Sequence, residues 1–130
     1  MLLAVCREFG IDTPDEIFPR IAFGFAGGFG NTGSVCGAVV GAVMAMGLIR
    51  GRGEDREGMF ARLGGVAEFR RRFEAEMGSI SCRELTGLDL GTDQGREELM
   101  NSDVAQKACF PAVAAGYRIA VELIRESEGA

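Results

Sequence analysis

An all-α fold, a single compact bundle of about five to six helices, is what the sequence predicts, and three observations predict it. Helix-start signals recur ahead of apolar residues spaced three or four apart. Glycines stand behind those runs where helices stop. No stretch alternates as a strand would, and there is no internal repeat or low-complexity tail. With 130 residues, 47% of them hydrophobic, the chain is sized for one domain spanning 1–130.

The elements follow in order. The opening residues read as a helix to Phe9, stopped by Gly10. Thr13-Pro14-Asp15-Glu16 sets a cap, a proline at the first helical position and a capping-box glutamate, so a second helix starts there. Pro19 is expected to bend or restart it, and the apolar run from Ile21 to Phe25 leads into a glycine-rich loop. Ser34 is the best cap for a third helix from Val35 to about Ile49, ending near Gly51 and Gly53. Gly37, Ala38, Gly41, Ala42 and Ala45 put a stripe of small residues on that helix, which should be buried and closely approached by another helix.

From Glu54 to Met77, apolar residues at Met59, Leu63, Val66, Phe69, Phe73 and Met77 mark an amphipathic helix weakened by Gly64 and Gly65. Ser81-Cys82-Arg83-Glu84 is a second capping box, opening a short helix through Leu85 that Gly87 ends. The following "GLDLGTDQG" reads as a loop, with a short helix from Arg96 to Met100. Asp103 then caps a last helix, on which Cys109, Val113, Gly116, Ala120 and Leu123 share a face and Pro111 introduces a kink.

Charge and composition narrow the function. Fourteen basic against 19 acidic residues leave a net charge of -5, which argues against a nucleic-acid partner. The cluster from Arg70 to Arg72 lies among Glu68, Glu74 and Glu76 and reads as a solvated face laced with ion pairs. There is no histidine, so Cys/His nucleophile pairs, Ser/His/Asp triads and mixed Cys/His zinc sites are excluded. Chemistry must run through cysteine, carboxylate or a bound cofactor. The stretch from Ile21 to Ile49 carries no charge, yet its eight glycines and central Asn31, Thr32 and Ser34 argue against a membrane span. The opening lacks the basic start and apolar length of a leader, so a cytoplasmic location is expected.

Gly28-Phe29-Gly30-Asn31-Thr32-Gly33 is a literal G-x-G-x-x-G with Glu54 and Asp55 downstream, the pattern of a dinucleotide pyrophosphate site. The glycine-broken segment before it makes a poor strand, and no alternation of strands and helices follows. A P-loop fails outright, because Ser34-Val35 stands where lysine and serine or threonine are required. If a cofactor does dock here, Gly30, Gly33, Ser34 and Gly37 are the residues to hold it.

The cysteines offer another reading of the loop. Cys36 falls in the first turn after Ser34, and Cys82 directly follows Ser81 with Arg83 beside it, so each thiol is expected at a helix start where its anion is favoured and its pKa lowered. Cys6 and Cys109, each in mid-helix, read by themselves as core residues.

The run from Gly24 to Leu48 with Cys36-Gly37-Ala38-Val39-Val40-Gly41, then Cys82-Arg83-Glu84-Leu85-Thr86-Gly87 and the late Cys109, resembles the C_GCAxxG_C_C family. The likeness runs nearly end to end. The family is called redox-active after its four recurring cysteines, has no established activity, and its members are often encoded near transporter genes. The resemblance implies that Cys36, Cys82 and Cys109 form a thiol/disulfide or soft-metal site, with an unknown redox partner or a transporter-associated protein as its counterpart. The family's first cysteine would fall several residues before Met1. Either the chain begins downstream of the natural start, or Cys6 serves as a stand-in fourth ligand. No cofactor is specified; an all-sulfur set would favour zinc, copper(I) or an iron-sulfur cluster. Two alternatives stand beside this reading. One is a helical ligand- or partner-binding module with structural cysteines and a surface of Phe23, Phe25 and Phe29; the other is nucleotide binding at the glycine loop. Oligomeric state stays open, a homo-oligomer included.

Overall fold

The computed structural model describes every residue except Thr13, Asp15, Gly129 and Ala130. Seven right-handed α-helices are present among the described residues: α1 (Leu2–Glu8), α2 (Ile17–Ala22), α3 (Gly37–Arg50), α4 (Arg56–Met77), α5 (Cys82–Thr86), α6 (Asp93–Asn101) and α7 (Phe110–Glu128). The class is all-α, with a single antiparallel bridge between Val35 and Ser81 as the only strand-like pairing among those residues. No helix is long and apolar enough to cross a membrane among the described residues.

Helix α3 lies at the centre and touches α1, α4 and α7. Its small residues permit this. Ala42 and Ala45 are fully buried, and a Cβ on Gly41 would sit 3.0 Å from Met1 Cβ at the start of α1. The main core adds Val5 and Cys6 from α1, Phe69 and Phe73 from α4, and Ala112, Ile119, Ala120 and Ile124 from α7. A smaller apolar cluster, Cys82, Leu88 and Leu90 with Leu99 and Val104, fills the end that carries α5 and α6.

Several boundaries differ from the sequence-based expectation. The proposed cap Thr13 and its neighbour Asp15 lie outside the described residues. Helix α2 begins at Ile17, which puts Pro19 in its first turn, where a missing N–H costs nothing, so no bend forms there. Ser34 does not cap α3. The N-cap is Cys36, because residues 34–36 are drawn into an extended pairing with residues 80–82 and cannot begin the helix.

Helix α4 is capped by Asp55, whose carboxylate accepts from the Gly58 N–H at 2.7 Å. Met59 and Leu63, expected on the buried face, are 48% and 60% exposed, since the first half of α4 stands away from the main core. Helix α6 starts at Asp93 inside the presumed loop, where the Thr92 hydroxyl accepts from the Gly95 N–H. Asp103 pairs with Lys107 at 2.8 Å instead of capping. The chain there winds as a π turn (Ala105–Cys109) before α7. Pro111 has no N–H to give the preceding turn, and the widened π ring lies directly ahead of it.

The arginine-rich face is as expected: Arg70, Arg71 and Arg72 pair with Glu74 and Glu68, and Arg72 also reaches Glu126 of α7 at 3.1 Å. Exposed pairs of this kind add little stability each.

Candidate thiol site

The glycine-rich segment is a left-handed turn. From Gly27 to Asn31 every residue has positive φ, including Phe29 at 69° and Asn31 at 61°. Side chains disfavour this by about 1–2 kcal/mol per residue, so Phe29 and Asn31 stay there only because the turn is fastened on all sides. The Asn31 N–H donates to the Ala26 carbonyl, Gly33 to Gly27 and Ser34 to Gly28. The Thr32 hydroxyl lies 2.8 Å from both the Gly28 and the Phe29 carbonyls.

The amides at 31, 33 and 34 are thereby consumed inside the turn. Two residues on, the Cys36 N–H donates to the Ile80 carbonyl at 2.7 Å. This leaves the G-x-G-x-x-G without the free N–H groups that a phosphate cradle needs at those positions. A Cβ on Gly30 would meet nothing within 4 Å, whereas one on Gly33 would press on Arg83 and one on Gly37 on the Phe25 carbonyl.

The turn carries the start of α5 instead. A Cβ on Gly28 would stand 2.6 Å from Cys82 Cβ and 2.6 Å from the Ser34 nitrogen. Opposite it, the Cys82 N–H donates to the Ser34 carbonyl at 2.7 Å and the Arg83 N–H to Gly33. The Ser81 hydroxyl contacts the Gly33 carbonyl and accepts from the Glu84 N–H, capping α5 as the sequence indicated. In the pairing centred on Val35 and Ser81, Cys36 lies opposite Ile80, two residues from Cys82. Residues two apart on an extended strand point the same way. Cys36 and Cys82 therefore share one side of the bridge.

That side opens on a cavity of about 170 Å³. Cys36, Cys82 and Cys109 all line it, with Gly27 and Gly28 of the turn, Leu85 and Thr86 of α5, and Leu90, Leu99 and Ala112 as apolar wall. Cys109 reaches it from the last position of the π turn. All four cysteines are free. Cys6 is elsewhere: it is fully buried in the main core and does not line the cavity.

The electrostatics reverse one expectation. Burial pushes the Cys82 thiol up from its ordinary range, with the Cys36 and Cys109 thiolates adding to the rise. Cys109 is raised by burial and then by Cys36. A helix of five residues offers Cys82 too small a dipole to offset desolvation, and Arg83 is turned outward toward Asp89 at 3.9 Å. Cys6 is raised by burial alone.

Several site residues carry no local signal in the sequence. Leu90, in the loop before α6, and Leu99, on α6, reach the cavity by tertiary packing, and Gly28 matters as the contact surface for Cys82. Among the described residues, no three His, Cys, Asp or Glu side chains are arranged to hold a metal ion. Beside the site, Phe23 and Phe29 are 78% and 62% exposed, and the Phe25 and Phe29 rings meet edge to face at 5.8 Å. A family model described as "Putative redox-active protein (C_GCAxxG_C_C)" matches residues 1–123. Neither a curated protein nor a solved structure matches the chain.

Proposed function

The chain belongs to the C_GCAxxG_C_C family, and we propose that Cys36, Cys82 and Cys109 form a thiol–disulfide exchange site. One observation carries this reading: three free cysteines from three separate elements line a single cavity.

In the forward direction the Cys36 thiolate attacks one sulfur of an incoming disulfide and releases the other as a thiolate, which takes up a proton. A second cavity thiol, after losing its proton, then attacks the Cys36 sulfur. An internal disulfide closes and the remaining half of the incoming compound leaves as a thiol. One disulfide is reduced to two thiols while the protein loses two hydrogens. The apolar wall keeps the second thiol protonated until the mixed disulfide forms, because burial and neighbouring thiolates both disfavour its anion. A site that must return to free thiols suits a reducing compartment such as the cytoplasm.

The test is intact-mass analysis of protein purified without air and then treated with oxidised glutathione. The wild type should pass through a glutathione adduct to a form two hydrogens lighter, C6S should do the same, and C36S should never close the internal disulfide. Four free thiols in the treated wild type, or ring closure in C36S, would sink the proposal. A metal mass in the untreated protein that C36S removes would replace it with a soft-metal site on the same three sulfurs.

A further inference from the structure

A second cavity, of about 270 Å³, lies between the C-terminal half of α3 and the first half of α4, away from the thiols. Val43, Leu63 and Val66 contribute to its apolar wall, and Arg50, Arg52 and Arg62 stand around it. None of these three arginines forms an ion pair among the described residues, whereas Arg70, Arg71, Arg72, Arg96, Arg118 and Arg125 all do. In a chain of net charge -5, carboxylates are plentiful, yet among the described residues none lines this cleft.

Arg50 is built into the cleft and does not merely hang over it. Its side chain crosses α4 at Gly65, where a Cβ would stand 2.6 Å from Nη1, so the absence of a side chain at 65 makes room for the guanidinium. Its Nε is buried and has no hydrogen-bond partner, the one such side-chain nitrogen or oxygen among the described residues. Burial, and then the charge of Arg62, pull the Arg50 guanidinium below its ordinary range. Two like charges therefore stand at an apolar recess, backed by a buried donor that has no partner, an arrangement that costs free energy until an anion enters.

We propose that this cleft binds a single-chain anionic amphiphile of the fatty-carboxylate class, its head held between Arg50 and Arg62 and its chain against Val43, Leu63 and Val66. A carboxylate matches the planar fork of a guanidinium and would offset the two arginine charges that no carboxylate of the described residues pairs. A bare inorganic anion would leave the apolar wall wet. The half-exposed Met59 and Leu63 at the opening, 48% and 60% accessible, give a chain longer than the recess apolar surface to follow.

Calorimetric titration of the full chain with premicellar sodium decanoate tests this. One saturable site is expected, weakened about tenfold or more in R50Q and in R62Q and unchanged in C36S. The alcohol 1-decanol, with the same chain and no charge, should bind more weakly than decanoate by a similar factor. Thermal melts of R50Q and R62Q close to wild type show that the loss is local, and R62Q alters only a partly exposed helix position. Absence of saturable decanoate binding, or equal affinity in R62Q and wild type, overturns the proposal. So does binding confined to phosphatidylglycerol vesicles, which would make the surface a membrane contact.

Discussion

Cys6 and the cavity cysteines are one residue type in two settings, and the contrast shows what makes a thiol available. Cys6 sits inside a helix that packs against three others, fully buried, and its sulfur is one more apolar atom in the core. Cys36, Cys82 and Cys109 sit at element boundaries: a helix cap, a helix start and the end of a π turn. Boundaries break the side-chain interlocking that fills a core, and here three of them converge on open space. Position along an element separates a thiol locked in the main core from thiols that line a cavity, even where, as at Cys82, the residue itself is buried.

The left-handed turn holds that convergence together, so damage to it should show the largest effect. Gly28→Val places a branched side chain where φ is +72° and where a Cβ already meets Cys82 and the Ser34 backbone at 2.6 Å. A loss of about 3 kcal/mol is expected in urea unfolding, from the disfavoured backbone and the overpacking together. Glutathione-driven ring closure should fail in the same variant. Wild-type stability with intact exchange chemistry would mean that the turn does not position Cys82.

Next in size comes the comparison of the two settings by one substitution. Cys6→Ser puts a hydroxyl without a partner into a fully buried position and should cost about 2 kcal/mol, leaving the exchange reaction untouched. Cys36→Ser, at a partly exposed cap, should cost well under 1 kcal/mol and abolish the reaction. The two variants thus dissociate stability from chemistry in opposite directions. Equal destabilisation by both would erase the distinction drawn between core and cavity.

Much of this architecture is legible in the amino-acid sequence, because caps and stops act locally. Ser81 before α5, Gly78 and Gly87 behind their helices, and the small-residue stripe of α3 each state a backbone preference within a few residues. The resemblance carried by the motifs around Cys36 and Cys82, with the late Cys109, likewise names all three thiols that line the cavity. What stays hidden is set by contacts across the chain. Ser34 has the right chemistry for a cap and loses that role to a pairing with residues almost fifty positions away. Handedness hides too: glycines announce positive φ at single positions, but nothing local says that Phe29 and Asn31 will follow them into a left-handed turn. Leu90 and Leu99 enter the cavity wall by tertiary packing alone, and the exposure of Met59 and Leu63 depends on where the core ends.

The smallest effect concerns protons. Burial comes first in raising Cys6, Cys82 and Cys109, but only the last two are also raised by a neighbouring thiolate. Below the ordinary thiol value of 9.0, both folded and unfolded chains hold these protons and stability is unaffected. Above it the unfolded chain ionises first, so it binds fewer protons than the folded one, and stability must fall as the pH climbs toward the folded values. Iodoacetamide labelling followed by peptide mass separates the sites. Cys82 and Cys109 should alkylate with midpoints above 9, and C36S should shift both midpoints down by removing the neighbouring charge. Cys6 should label slowly at every pH, because its reaction waits on opening of the core, and it should ignore C36S. Superimposable Cys82 profiles in C36S and wild type would show that the cavity thiols do not sense one another, and would reduce the site to three cysteines that happen to share a wall.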